Sequence, residues 1–250
     1  MRIDVVSIFP ELFDAVTSAG ITGRAADKDL WSLHRWNPRD FTKDAYRRVD
    51  DRAYGGGPGM VMLVEPMARA LSQAQAEQQA STGATGQVVL MTPQGQPLTH
   101  ETAVSLAACQ SLTIVAGRYE AIDQRFIDER VDQEISIGDF VVSGGELPAM
   151  LLIDAMVRLL PGAVNDPASV EQDSFANGLL DSPHYTRPEV LDGQAVPPVL
   201  VSGDHKKIDR WRRERSLALT ASRRPDLLAQ AREKGLLTDE DEGFLRKNPS

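Results

Sequence analysis

The stretch SIGDFVVSGGELPAMLLIDAMVRLL, Ser136 to Leu160, limits what this chain can fold into more than any other. Ile135 to Ile137 and Phe140 to Val142 are short apolar runs parted by Gly138 and Asp139. Ser143-Gly144-Gly145 then offers backbone with little side chain in the way, and Pro148 suits a first helical turn, where a missing N–H costs nothing. From Ala149 to Leu160 the residues are almost all apolar, which predicts a buried helix closed by Pro161-Gly162. Two readings of the glycine turn stay open. It is a tight strand-to-helix connection, or a place where a small ligand meets backbone and the N–H groups of a helix start.

Around this stretch, strands alternate with helices. Ile3 to Ile8, Leu30 to Trp36, Gln87 to Met91, Leu112 to Ala116 and Glu134 to Ile137 read as strands. Helices are expected from Pro10 to Ser18, Val64 to Ala80, Thr99 to Cys109 and Ile122 to Glu129. Arg39 to Arg52 is polar without periodicity and reads as loop, followed by the glycine-rich Tyr54 to Gly59. The alternation predicts an α/β fold with a largely parallel sheet. Three strands run into polar or glycine-bearing loops: Thr92 to Gly95, Gly117 to Glu120 and Gly138 to Gly145. Ligands in open α/β sheets bind beyond the carboxyl ends of strands, so these loops predict one pocket.

Composition changes after Pro161. Gly162 to Pro198 carries five prolines and few periodic apolar residues, and reads as a linker with turns. Helices are expected from Asp204 to Thr220, from Pro225 to Gly235 and after Thr238. The chain therefore divides into an α/β domain over 1–161, a linker over 162–175 and a small all-helical domain over 176–250. Net charge is −9, which taken globally disfavours a nucleic-acid partner. The average misleads, because Lys206 to Arg224 holds eight basic residues against Asp209 and Glu214. That stretch predicts phosphate contacts through Lys206, Lys207, Arg210, Arg213 and Arg215, or else a solvated helix face.

Other chemistries find little support. The four histidines are scattered, there is no P-loop, no dinucleotide-binding glycine fingerprint and no G-x-S-x-G. One cysteine, Cys109, excludes an internal disulfide. No membrane span and no secretory signal are expected, so the chain reads as cytoplasmic. Arg158 is either a helix-end arginine with a solvated head or a functional cation, and Asp173 either a linker acid or a functional carboxylate. The residues alone predict a ligand pocket and a basic helical module, without a reaction.

Longer motifs go further. Val49-Asp50-Asp51-Arg52-Ala53-Tyr54 into GGGPGM, Thr92-Pro93-Gln94-Gly95, Gly117 to Asp123 (GRYEAID), Ser136 to Met150, Gln172-Asp173-Ser174-Phe175 and Asp181 to Gly203 (DSPHYTRPEVLDGQAVPPVLVSG) occur in order. Over nearly its whole length the chain resembles the bacterial tRNA (guanine-N1)-methyltransferases, the TrmD family. Thr92, Ala121, Phe140 and Gln172 depart from the usual serine, glycine, tyrosine and acid.

The resemblance implies a SPOUT-class fold with a deep trefoil knot, although knots are nearly absent from proteins. It implies an obligate homodimer with active sites at the interface, and S-adenosylmethionine bent among the three loops. Expected cofactor contacts are Leu90, Thr92 and Pro93, then Gly117, Arg118, Tyr119 and Glu120. The third loop and the helix after it add Ser136, Ile137, Gly138, Phe140, Val142, Gly144, Gly145 and Pro148. The implied product is 1-methylguanosine at tRNA position 37, with Asp173 as general base and Arg158 stabilising charge on O6. Mg²⁺ is implied near Glu120, and Asp50 and Arg52 join the RNA contacts.

Overall fold

The computed structural model describes residues 1–248 and falls into two compact units, Met1–Asn165 and the remainder from Asp166. The first unit contains, in order, β1 (Arg2–Val6), a 3-10 turn at Pro10–Phe13, α1 (Asp14–Ser18), α2 (Gly20–Asp27) and β2 (Ser32–Trp36). A second 3-10 turn at Pro38–Phe41, β3 (Asp50–Arg52), β4 (Met60–Met62), α3 (Val64–Thr82), β5 (Gln87–Pro97) and α4 (His100–Ala107) follow. Then come β6 (Ser111–Ala116), β7 (Ala121–Ile122), α5 (Gln124–Arg130), β8 (Gln133–Ser136) and α6 (Glu146–Val157).

Five strands form one parallel sheet in the order β2-β1-β6-β5-β8. Helices cover both faces, which is why the inner strands read as unbroken apolar runs. The pleat still sorts their side chains. Ile3, Val5, Val89, Met91, Leu112 and Ile114 pack with Ala149, Leu152, Ile153 and Met156 of α6 on one face. Val6, Val88, Leu90 and Val115 pack with Met67, Ala70 and Leu71 of α3 and with Phe126 of α5 on the other. Asp4 shares that second face and is fully buried. Its carboxylate accepts hydrogen bonds from Arg2 Nε (2.8 Å), Trp36 Nε1 (2.7 Å) and Gln78 Nε2 (2.8 Å), so the buried charge is matched by donors.

Several features of this unit differ from the sequence expectation. Gly20–Asp27 is helical, although Gly20 and Gly23 weaken any helical reading. The presumed loop from Arg39 to Arg52 contains a 3-10 turn and β3, which joins β4 and β7 in a small separate sheet. β5 does not stop at Met91. Both Met91 and Gln96 stand opposite Ile135, so Thr92 to Gly95 loops out of the pairing and the strand resumes. At Gly95 a Cβ would lie 2.4 Å from the Glu134 carbonyl carbon, so only glycine lets the returning chain pass β8. Finally, α6 starts at Glu146 and ends at Val157, with Arg158 as its C-cap.

The second unit holds α7 (Ala168–Glu171), β9 (Val190–Leu191), β10 (Gln194–Ala195), a 3-10 turn at Pro198–Val201, α8 (His205–Arg223), α9 (Pro225–Glu233) and α10 (Asp239–Lys247). It is therefore not all helical. β9 and β10 make an antiparallel hairpin across Asp192-Gly193, whose φ values of 51° and 81° supply the left-handed turn that such a hairpin needs. The helices close on Leu179, Leu217, Leu228, Ala231 and Leu245. Asp204 caps α8 by accepting the Lys207 N–H, and Thr238 with Asp241 forms a reciprocal capping box on α10. Among the described residues no helix is long and apolar enough to cross a membrane.

Candidate active site

Beyond the carboxyl ends of β5, β6 and β8 lies a cavity of about 380 Å³, a size that suits a small-molecule ligand. The looped-out segment of β5 gives Leu90, Thr92 and Pro93 to its wall, and the turn after β6 gives Gly117, Arg118, Tyr119 and Glu120. The segment from β8 into α6 gives Ser136, Ile137, Gly138, Phe140, Val142, Gly144, Gly145 and Pro148. Every position expected in the cofactor set thus lines one cavity. Met91, Gln94, Val141 and Ser143 of the same predicted loops line it as well, and so do Ala121, Ile122, Gln124, Ile127 and Ile135.

The walls are held by main chain. The Gly145 N–H donates to the Gly117 carbonyl (2.8 Å), so the last N–H of the glycine turn is spent on fastening two loops together. A Cβ on Gly145 would lie 2.7 Å from Ala116 Cα, and one on Gly144 would lie 2.2 Å from Arg118 Nε. Backbone approach requires glycine at 145, whereas a side chain at 144 would push the Arg118 side chain out of its place. Gly138 has φ 135°, a conformation other residues avoid, and its turn is closed by the Phe140 N–H donating to the Gly138 carbonyl (2.9 Å). Tyr119 adopts the left-handed region at φ 62° although it has a side chain, and its hydroxyl accepts from Arg39 Nη2 (3.2 Å).

Arg118 is the cation of this wall. Its Nε donates to Glu146 Oε2 (2.7 Å) and its Nη1 to the Ser143 carbonyl (3.2 Å), while its guanidinium carbon stands 4.6 Å from the Phe9 ring centre. Glu146 is fully buried and takes a second hydrogen bond from the Ser7 hydroxyl (2.7 Å). Neither Glu146 nor Ser7 was selected from the sequence. Their partners are 28 and 139 residues away, and the one local signal is an acid at the head of an otherwise apolar helix.

Glu120 is exposed and lies beside Gly59, where an added Cβ would sit 3.0 Å from Oε2. Among the described residues no three His, Cys, Asp or Glu gather as a metal site. Asp50 and Arg52 lie on β3, with Arg52 exposed. Arg158 is half-buried at the end of α6 and does not line the cavity.

Asp173 belongs to the second unit, half-buried just after α7, and its Oδ1 accepts the Ser174 N–H (3.0 Å). That unit has its own polar cavity of about 220 Å³, lined by Gln172, Asn177, Asp181, Ser182, Asp209, Arg212, Arg213 and Ser216. The basic helix α8 splits into two sets. Arg210 pairs with Glu214 (2.9 Å), Arg213 pairs with Asp241 (3.0 Å) and Lys207 pairs with Asp204 (3.0 Å). Lys206, Arg212, Arg215 and Arg223 are exposed and form no ion pair among the described residues.

The family model for tRNA (guanine-1)-methyltransferase TrmD matches residues 1–230. A tRNA (guanine-N(1)-)-methyltransferase of Janthinobacterium sp. (strain Marseille) is 57% identical over 98% of this chain and 98% of its own. The protein of the same name from Cupriavidus taiwanensis is 59% identical over 98% and 94%, and that from Herminiimonas arsenicoxydans 57% over 98% and 99%.

Proposed function

The chain belongs to the TrmD family and is a tRNA (guanine-N1)-methyltransferase, and on that premise we propose how it works. The methyl donor is S-adenosylmethionine and the target is N1 of the guanine at tRNA position 37. The observation that carries this reading is the cavity built from three strand-end loops, with apolar walls and glycines at each close approach. Leu90, Ile135, Ile137, Phe140, Val142 and Pro148 suit the apolar parts of the cofactor, and the loop main chain suits its polar edges.

S-adenosylmethionine supplies a methyl on a sulfonium and leaves as a neutral thioether. The chain supplies the rest. N1 of guanine carries a proton and attacks poorly until a base removes it. Asp173 takes that proton as the N1–carbon bond forms. The charge left on the base and O6 is met by Arg158, a permanent cation with a planar donor fork. Holding methyl and N1 in line is the other large contribution. The donor set does not form a dedicated magnesium cage, because no three His, Cys, Asp or Glu gather anywhere among the described residues. No step here runs through the ion.

The same reading takes the carboxyl part of the sheet as threaded in a trefoil knot. It takes the enzyme as a homodimer with its sites at the interface. Leu147 and Leu151, one turn apart on α6 and each 55% exposed, with Val141 at 85%, support an apolar contact there. A tRNA substrate puts the enzyme in the cytoplasm.

The deciding experiment offers S-adenosylmethionine and two tRNA transcripts, one with guanine and one with adenine at position 37, and reads methylated nucleosides by mass spectrometry. Product on the guanine transcript alone is expected. Product on neither, with cofactor still bound, would move the target to another RNA.

A further inference from the structure

A cavity that takes a sulfonium has a cation in its wall, and that conflict points to a role for Glu146. Arg118 and Glu120 are the charged residues lining the cavity among those described. Glu120 is exposed, so water screens it. The Arg118 side chain is only 19% exposed, with the 143–145 loop folded so closely around it that Gly144 has no room for a Cβ. Its charge is therefore poorly screened, and by itself it would oppose a second positive charge in the same cavity.

Glu146 stands directly behind it. The carboxylate is fully buried, and its two oxygens are taken by Arg118 Nε and the Ser7 hydroxyl, both at 2.7 Å. A buried acid is costly in such a position, and any hydrogen-bond acceptor of similar shape would hold the arginine side chain in place. What a neutral acceptor would not do is cancel its charge.

We propose that Glu146 is a charge-compensating positioning residue: by neutralising Arg118 it lets the cavity accept the sulfonium of S-adenosylmethionine without an electrostatic penalty relative to the neutral thioether product. This rests on the cofactor reading given above. It assigns Glu146 an electrostatic effect on ligand choice, in addition to its part in fixing the loops.

Calorimetric binding of three ligands tests it without turnover. S-adenosylmethionine carries the sulfonium, sinefungin carries an ammonium in its place, and S-adenosylhomocysteine is neutral there. Glu146→Gln removes the charge yet keeps the hydrogen bonds, because the amide oxygen can face Arg118 and the Ser7 hydroxyl can accept from the amide N–H₂. In this variant both cationic ligands should weaken at least fivefold more than S-adenosylhomocysteine. The double variant Arg118→Gln/Glu146→Gln should bring the cation-to-neutral ratio back within twofold of the original. Equal weakening of all three ligands, or no change, overturns the proposal and leaves Glu146 a packing element. If Glu146→Gln does not fold, Arg118→Gln decides: its ratio should hold or rise, and a fall would refute the compensation. Failure of the unmodified protein to bind any of the three would refute the cofactor reading instead.

Discussion

The Gly145 N–H reaches the Gly117 carbonyl across 2.8 Å, and this bond makes the loops after β6 and β8 one wall. A Cβ at position 145 would press to 2.7 Å against the backbone of Ala116, which cannot swing aside. Gly145→Ala should cost about 1–3 kcal/mol in chemical denaturation, the usual penalty of overpacking. It should also weaken cofactor binding more than tenfold in calorimetry, because the wall itself is displaced.

Asp241 governs the acid stability of the helical unit. It is 2% exposed and accepts from Arg213 and from the Thr238 N–H. Burial alone pushes its carboxyl up, but the Arg213 hydrogen bond, the Thr238 N–H and the Arg213 charge together hold it below the usual carboxylate range. A depressed folded value stabilises above the unfolded value, near ~4, and the gain is lost as pH falls through the folded one. Asp241→Asn should destabilise this unit by about 2–3 kcal/mol at neutral pH, less than the ~3–5 kcal/mol of a fully buried pair because Arg213 and the second arginine beside it, Arg210 at 3.4 Å, keep some water. Circular dichroism melts from pH 7 to 3 should show that difference narrowing.

How much of this could be read from the sequence depended on range. Unbroken apolar runs such as Ser111–Ala116 and local caps such as Thr99 and Thr238 are written in adjacent residues, and the corresponding elements lie where expected. β3 is Asp50-Asp51-Arg52, without alternation or apolar content, and is a strand only because Met60–Met62 pairs with it. The looped-out Thr92 to Gly95 was read correctly as a turn at the cavity, but the resumption of β5 beyond it depends on β8. The lining positions carried motif signals. Glu146 acts through Ser7 and Arg118, so its importance lay outside any local window.

Phosphate contacts of α8 should come from the side chains without an internal partner. Neutralising Lys206, Arg212, Arg215 or Arg223 singly should lower the slope of log affinity against log salt for tRNA by up to ~0.9 each. Arg213→Gln should act mainly on thermal stability, since its guanidinium also donates to the Leu236 carbonyl (3.1 Å) and holds α10 through Asp241.

Asp173→Asn should keep cofactor affinity within twofold and lower kcat by about 10²–10⁴, the range of a lost general base. Arg158→Lys should recover part of what Arg158→Ala loses, as a point charge replaces a donor fork. Single-turnover methyl transfer to tRNA measures both.

Leu151→Lys should shift the enzyme toward monomer in sedimentation velocity. Burying one leucine is worth about 1.5–3 kcal/mol, and a twofold-symmetric contact loses it twice. The apolar patch containing Leu147 and Leu151 is otherwise left facing water.

A wall made of main chain at Gly117, Gly138, Gly144 and Gly145 has a consequence for inhibition. A competitive compound that hydrogen-bonds to those peptide groups offers mutation few handles, because the atoms it touches are the same whatever the codon. Side chains added at Gly144 or Gly145 meet Arg118 or Ala116, and would disturb the cavity itself along with the compound's footing. Escape then falls to side chains in the lining, such as the exposed Phe140 and Val141.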